Sequence, residues 1–346
     1  MIGRSLALTA GRDRVALDHF LVAGRIFERS EARRVAWSFP LAPPAGRGDH
    51  RRGSDQSTNE EGAQPLSSAL VAVHGSIVGV LVCALGDLLL DVIVLTDGAV
   101  ESDSEGSAQT RAGAGGQSAN VAVWSVALGA DARFVGKRAA DAAGEIVSAE
   151  LSVRGVDVVG PVVEGQNGIV VSLVDGDGRR TMLTDRGVAP ELHAEELEMG
   201  WFRGCDVLHL SGYSLFHNPI AEAAAKAAGG VQAIGGRISV DLSSATGIRA
   251  VRDAFLSRLE LLQPDIVFGN ESELAALGTD PPARSVVVKR GAAGFTVDGR
   301  DVPAAPAEVV DSTGAGDALA AGFLIGGAEL AAQAAGRCVA KLGAMP

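Results

Sequence analysis

Aromatic residues are scarce in this 346-residue chain, at 4% with a single tyrosine, while hydrophobic residues reach 47%. An interior short of large rings must be built from Ala, Val and Leu, the composition of parallel sheets covered by helices. The length suffices for one large α/β domain or two modest ones. Cysteine is scarce too, and Cys83, Cys205 and Cys338 are scattered in apolar stretches without a C-x-x-C pair. That pattern excludes a disulfide framework and a thiolate zinc site, and predicts buried thiols in the reducing cytoplasm. An excess of basic charge is also missing. With 30 Lys and Arg against 42 Asp and Glu, the net charge of −12 argues against a nucleic-acid partner.

Two phosphate-binding fingerprints are absent. The glycines at 113–116 do not complete G-x-G-x-x-G, because Ser118 stands where the last glycine belongs. Gly136-Lys137 lacks the glycine spacing of a Walker A loop and is followed by Arg138. A membrane anchor is not expected either. Residues 69–85, ALVAVHGSIVGVLVCAL, carry no formal charge, but His74, Gly75 and Ser76 interrupt them, and 78–85 reads as a buried first strand.

Residues 1–75 differ in composition from the rest of the chain. They are rich in Arg, Gly, Pro and Ser, cannot bury a core, and predict a poorly ordered extension ahead of a folded domain at 76–346. From there strand-like and helix-like segments alternate in the βαβ manner. Strands are predicted at 80–85, 133–135, 207–210, 238–242, 266–268 and 286–289, with helices at 118–128, 142–154, 219–228 and 248–262. Between about 156 and 186 the rhythm breaks. Two β-rich runs, 168–174 and 180–184, flank the turn D-G-D-G at 175–178 and predict a hairpin suited to serve as a lid over a substrate.

What the chain does possess is D-S-T-G-A-G-D at 311–317, after a strand-like 308–310 and before an apolar helical run. Backbone N–H groups of Gly314, Ala315 and Gly316 then fall at a helix N-terminus, where unpaired donors and the helix dipole favour a phosphate. Asp317 closes the turn, placed to take a proton from an attacking hydroxyl.

Other constellations support an acceptor site. Gly115, Gly116 and Asn120 open a helix and let a polyol approach the backbone. Asp91 follows Gly86-Asp87 beyond the first strand, where open α/β sheets bind ligands. Asn270 and Glu273 have the spacing of a capping box. Arg186 follows the hairpin, and Lys289, Gly291 and Gly294 form a strand-turn.

The 311–317 motif resembles the D-x-T-G-A-G-D signature of the ribokinase-like carbohydrate kinases, the PfkB family, and the resemblance covers about 78–346. It implies a three-layer, doubly wound, mostly parallel α/β sheet with a small β-sheet lid. It also implies an ATP-dependent kinase acting on a hydroxyl, primary by expectation, of a sugar or nucleoside. By that resemblance Asp317 is the catalytic base and Gly314, Ala315 and Gly316 form the anion hole for the γ-phosphoryl group. Asp91, Gly115, Gly116, Asn120 and Arg186 face the substrate. Thr313, Lys289, Gly291 and Gly294 border ATP. Asn270 and Glu273 organise Mg²⁺ through water, and Asp311 is structural beside a candidate K⁺ site. A homodimer through the lid is a further expectation. The short run of chain after Asp317 keeps an alternative open, a catalytically weak or inactive sugar- or nucleoside-binding protein of the same fold.

Overall fold

The structure is a computed structural model that describes residues 79–346 apart from 97, 99, 101, 104 and 177–179. The extension expected at 1–75 lies outside the described residues, as does half of the 175–178 turn.

Strand β1, Leu81–Leu85, is the centre from which the sheet is built. Its alternate side chains serve two cores, with Cys83 and Leu85 in one and Val82 in the other, as the two-residue period of a strand requires. Beside it run β4 (Asp131–Val135), β6 (Asp157–Val159), β10 (Val207–Ser211), β11 (Arg237–Asp241), β12 (Ile266–Asn270) and β13 (Ser285–Lys289), all parallel. Two antiparallel strands, β14 (Phe295–Val297) and β15 (Arg300–Val302), finish one edge. The order is β15-β14-β13-β12-β11-β10-β1-β4-β6.

Helices cover both faces. On one side α3 (Ile220–Ala233) lays Ala223, Ala224, Ala227 and Ala228 against the strands, and these small side chains let the helix approach closely. The opposite face is closed by α1 (Gln117–Ala127) and α7 (Ala315–Val339), around Trp124, Phe268 and Phe295. Each fully buried Val, Leu or Phe contributes about 1.5–3 kcal/mol. An Ala-rich chain therefore spreads its stability over many contacts rather than a few rings. All three cysteines are buried and free.

A second sheet stands apart from the first. Its strands are β2 (Leu89–Thr96), β3 (Ala108–Gly115), β8 (Asn167–Val174) and β9 (Arg180–Gly187), ordered β3-β2-β8-β9. The expected hairpin is β8–β9. Its upstream boundary, placed at 156, is corrected to 167, because β6 extends the main sheet and β7 (Val162–Val163) pairs with β5 (Arg138–Ala139). The lid also includes 89–115, a segment not read as strand. Gly86 to Leu88 interrupt the chain after β1, so β2 leaves the main sheet and pairs with β3 and β8.

Three smaller expectations are corrected. Residues 308–310 join no ladder, and Val309 and Val310 are exposed. The helix at 248–262 breaks at Val251 into α4 (Ala245–Ala250) and α5 (Arg252–Leu262), since Val251 has φ −138° and ψ 33°. Gly327, at φ 75° and ψ −160°, folds α7 back on itself, and Gly322 packs against Leu330 and Ala331. By length and hydropathy alone α7 resembles a membrane span, but the break at Gly327 divides it and half of its most apolar stretch is buried.

Candidate active site

The site lies where β1, β10, β11, β12 and β13 end. In an open parallel sheet the carboxyl ends of the strands face a crevice lined by loops and helix N-termini. Asp241 closes β11, Asn270 closes β12 and Lys289 closes β13. Helix α7 points its N-terminus into the same space.

Gly314 is the N-cap of α7 in the left-handed region, at φ 76°. A Cβ there would lie 2.5 Å from Ala344 Cβ, so no other residue fits without moving the C-terminal segment. Asp311 ties the turn together. Its Oδ1 accepts from Thr313 N at 2.9 Å and Thr313 Oγ1 at 2.6 Å, and its Oδ2 accepts from Gly343 N at 2.9 Å. Burial alone would raise the Asp311 pKa, but the Thr313 hydroxyl and the two amides outweigh it and hold the carboxyl below its usual range. Ala315 N–H donates to Ser312 O at 3.3 Å, a weak turn bond, while Gly316 and Asp317 carry amides that helical geometry leaves without an intrahelical acceptor.

Asp317 follows in the first turn of α7. Its pKa is raised to about 7, chiefly by burial, with Asp241 adding to the rise and Asn120 and Lys289 opposing it. Asn120 Nδ2 donates to Asp317 Oδ2 at 2.8 Å, joining residues 197 positions apart. The other half of that amide, Asn120 Oδ1, is a buried acceptor with no partner among the described residues.

Below the turn sits a group of alternating charge. Lys289 Nζ donates to Asp241 Oδ2 at 2.7 Å, with Asp241 fully buried. Burial would lower the lysine, yet the Asp241 and Glu273 charges win and its pKa is raised. Its chain also passes 3.4 Å from where a Cβ of Gly316 would be. Lys289, expected beside the nucleotide, lies against Gly316 of the glycine turn, while Gly291 and Gly294 are in the tight turn between β13 and β14. Asn270 and Glu273 form the expected capping box at α6 (Glu271–Leu277). Asn270 Oδ1 accepts from Glu273 N at 2.9 Å, and Glu273 Oε2 accepts from Asn270 N at 2.8 Å. Burial raises the Glu273 pKa.

The residues expected on the acceptor side stand on the second sheet or next to it. Asp91, expected at the end of the first strand, is on β2 opposite Gly113. A Cβ at Gly115 would collide with the Asp91 carboxylate, and one at Gly116, whose φ is 102°, would collide with Asp87 O, so only glycines fit at this close approach. Burial raises Asp91 to about 6, against the pull of Arg180. Arg186 is committed elsewhere: its Nε and Nη2 grip Asp87 at 2.6 and 2.8 Å, and Nη2 also donates to Tyr213 O at 3.2 Å. That ion pair joins β9 to the loop after β1.

Two residues of the site escape sequence reasoning. Asp241 has a readable signal, an acid at the carboxyl end of a predicted strand. Arg180 has none, since only tertiary folding carries its guanidinium from the lid to Thr313 Oγ1.

The chain matches the family model for "pfkB family carbohydrate kinase" over residues 80–345. It is 34% identical over 260 residues to an ATP-dependent ribose-1-phosphate kinase of Halopiger xanaduensis, covering 71% of this chain and 84% of that protein. Among solved structures it is similar to an adenosine kinase from Sinorhizobium meliloti, with TM-score 0.69 and 26% identity over 78% of this chain and 96% of that one. A second neighbour is a ribokinase II from E. coli in complex with ATP and Mg²⁺, with TM-score 0.65 and 26% identity over 77% and 94% of the two chains. With the strand-end crevice, the glycine turn and a carboxylate poised near neutrality all in place, the chain belongs to the pfkB family of carbohydrate kinases.

Proposed function

We propose that this protein transfers the γ-phosphoryl group of ATP to a primary hydroxyl of a small sugar, sugar phosphate or nucleoside. The observation that carries this reading is the Asn120–Asp317 contact, which ties the glycine-opened helix of the acceptor side to the base beside the anion turn. Asp317 takes the proton as the acceptor O–H bond breaks. The freed electron pair attacks phosphorus, the bond from phosphorus to the β-phosphate oxygen breaks, and ADP leaves. A carboxylate titrating near 7 is ionised enough to accept that proton and basic enough to hold it.

Asp91 orients the acceptor by receiving hydrogen bonds from its hydroxyls, and the orphaned Asn120 Oδ1 takes another. The Gly314–Gly316 turn, with Lys289 beneath it, balances the charge that gathers on the transferred group. Mg²⁺ would be held through water by Glu273, Asn270 and Asp241, and it supplies charge neutralisation on the phosphates. Among the described residues no group of three metal-ligating side chains stands together, which suits an ion that keeps most of its waters. A K⁺ ion beside Asp311 belongs to the same proposal, checked by activity in KCl against choline chloride.

We place the enzyme in the cytoplasm without nucleic-acid or membrane partners, on the support of its −12 charge and buried free thiols. A homodimer through the lid is supported by the exposed Met182 and Leu183 on β9 and is checked by light scattering.

The decisive experiment is an ADP-release assay across ribose 1-phosphate, fructose, ribose and adenosine, with Asp317→Asn as control. ADP that requires one acceptor and disappears in the variant is the expected result. Acceptor binding without ADP release would leave only the binding-protein alternative.

A further inference from the structure

Four successive residues, Gly343, Ala344, Met345 and Pro346, each have a different partner. Gly343 N donates to Asp311 Oδ2 at 2.9 Å, and Ala344 packs so close to Gly314 that a Cβ on the glycine would lie 2.5 Å away. Ala344 O accepts from Trp124 Nε1 at 2.8 Å, on α1, the helix whose N-cap is Gly116 and whose first turn holds Asn120. Met345 is buried in one apolar cluster with Leu88 and Ala114. Pro346 O accepts from Arg154 Nη1 at 2.6 Å. Through Nη2 the same arginine grips Glu150 Oε1 at 2.9 Å, one turn back on α2 (Ala142–Val153). Glu150 Oε2 in turn accepts from Ala114 N at 2.7 Å.

This path joins the glycine turn at 314–316 to the glycine pair at 115–116. Strand β3 lies at the edge of its sheet, so one side of it carries backbone groups without a ladder partner. Ala114 N is one of these, immediately before Gly115, and Glu150 satisfies it. As a stability device the Glu150–Arg154 pair is weak, because its side chains are 29% and 31% exposed and an i,i+4 ion pair within reach of water contributes little. The partners of the pair tell more. Glu150 holds backbone 36 residues upstream, and Arg154 holds backbone 192 residues downstream.

We propose that Glu150 and Arg154 are positioning residues that hold Gly115 and Gly116 in register with the glycine turn, acting through residues 343–346. The Asn120–Asp317 bond fixes the start of α1 against the turn, and the Glu150–Arg154 pair fixes the strand that leads into α1. Acceptor hydroxyl and transferring group then meet at a set distance. Because the link runs between the two sides, a nucleotide that stiffens the turn also stiffens the acceptor side, and the two substrates bind more tightly together than apart. The inference rests on the kinase reading above and adds to it two residues that touch neither substrate.

The test compares the whole protein with Arg154→Met, Glu150→Ala and Glu150→Gln. Calorimetry measures binding of ribose 1-phosphate, fructose, ribose and adenosine, each with and without β,γ-methylene-ATP and Mg²⁺, and kinetics give kcat and KM for the acceptor that releases ADP. In the wild type the nucleotide analogue should tighten acceptor binding about tenfold. Arg154→Met should keep the affinity for each substrate alone within about twofold, lose most of that gain and lower kcat about tenfold, as small displacements of a reactant do. Glu150→Ala should also raise the acceptor KM about tenfold, since Ala114 N loses its partner. Glu150→Gln, which keeps an oxygen for Ala114 N, should restore that KM without restoring the gain. Should Glu150→Ala fail to fold, the other two variants carry the test. A gain retained in Arg154→Met overturns the proposal, as does a wild type in which the analogue changes acceptor affinity less than twofold. Equal weakening of each substrate alone, with a lowered Tm, makes the pair structural only and overturns it too. Failure of the wild type to release ADP with any acceptor removes the kinase reading itself, and the calorimetry then decides the coupling separately.

Discussion

The two walls of the site are made in opposite ways. The proposed phosphoryl wall is almost continuous in sequence, with Asp311, Thr313, the Gly314–Gly316 turn and Asp317 running into the first turn of α7, held by bonds that span a few residues or reach Gly343. The proposed acceptor wall is collected from Asp91 on β2, the Gly115–Gly116 pair where β3 ends, and Arg186 on β9. A continuous wall can be rigid before any ligand arrives. A collected wall depends on long-range pairs, so it can open and vary its acceptor while the chemistry opposite stays unchanged.

The strongest way to break this comparison is to remove Asp317, the proposed base, which both walls touch. Asp317→Asn should reduce kcat by about 10³–10⁴-fold with substrate binding retained, the upper range for general-base loss. In the wild type, kcat/KM should rise with pH to a plateau, with a midpoint near 7. Stability should move the other way. The folded-state pKa of Asp317 lies above its unfolded value near 4, so ionisation costs stability as pH rises through the folded value. Asp317→Asn should therefore raise the Tm by a few degrees at pH 8 and leave it unchanged at pH 3, a difference that thermal melts at the two pH values would reveal. Because Asp317 is only half-buried, solvent trims the effect.

Next in size is Gly314→Ala. The left-handed φ and the collision with Ala344 together predict a loss of about 1–3 kcal/mol and a kcat lowered about 100-fold, with acceptor affinity little changed. A Gly314→Ala enzyme with normal kcat would show that the phosphoryl wall is less rigid than its hydrogen bonds imply.

The collected wall calls for a different probe. Arg186→Gln leaves Asp87 buried and unpaired, and should raise the acceptor KM about tenfold while changing kcat less than threefold. The double variant Asp87→Asn with Arg186→Gln should melt higher than Arg186→Gln alone, since no stranded charge remains. Equal losses in kcat and KM would mean that the Asp87–Arg186 pair also positions the proposed phosphoryl wall.

The same contrast decides what is legible in the sequence. The glycine turn, the Asn270–Glu273 cap and every parallel strand but β6 are local, written in spacing and in strand or helix periodicity, and each appears within a residue or two of its expected place. Asp91 is recognisable as a ligand-side acid, but its strand is not. Leu89–Thr96 continues the apolar run of β1, and only pairing with β3 and β8 reveals a second sheet. Arg180 reads as an ordinary strand-edge cation for the same reason. Its meaning depends on Thr313, which is 133 residues away. The resemblance of the strand-turn places Lys289 on the nucleotide side, and its pairing with the buried Asp241 is visible only in the fold.

The smallest effect tests whether the phosphoryl wall's local bonds are structural, catalytic or both. Asn270→Ala removes the acceptor for Glu273 N and one side of the capping box, a loss of about 1 kcal/mol seen in a denaturant melt. If Asn270 also steadies water around Mg²⁺, the Mg²⁺ concentration for half-maximal rate should rise about two- to fivefold in the same variant. Asn270→Ser separates the two roles, because serine caps a helix about as well as asparagine but reaches less far. Stability restored without the Mg²⁺ response would give Asn270 a second duty at the metal. Restoration of both would confine it to the helix start, and the phosphoryl wall would then bind its metal through Asp241 and Glu273 alone.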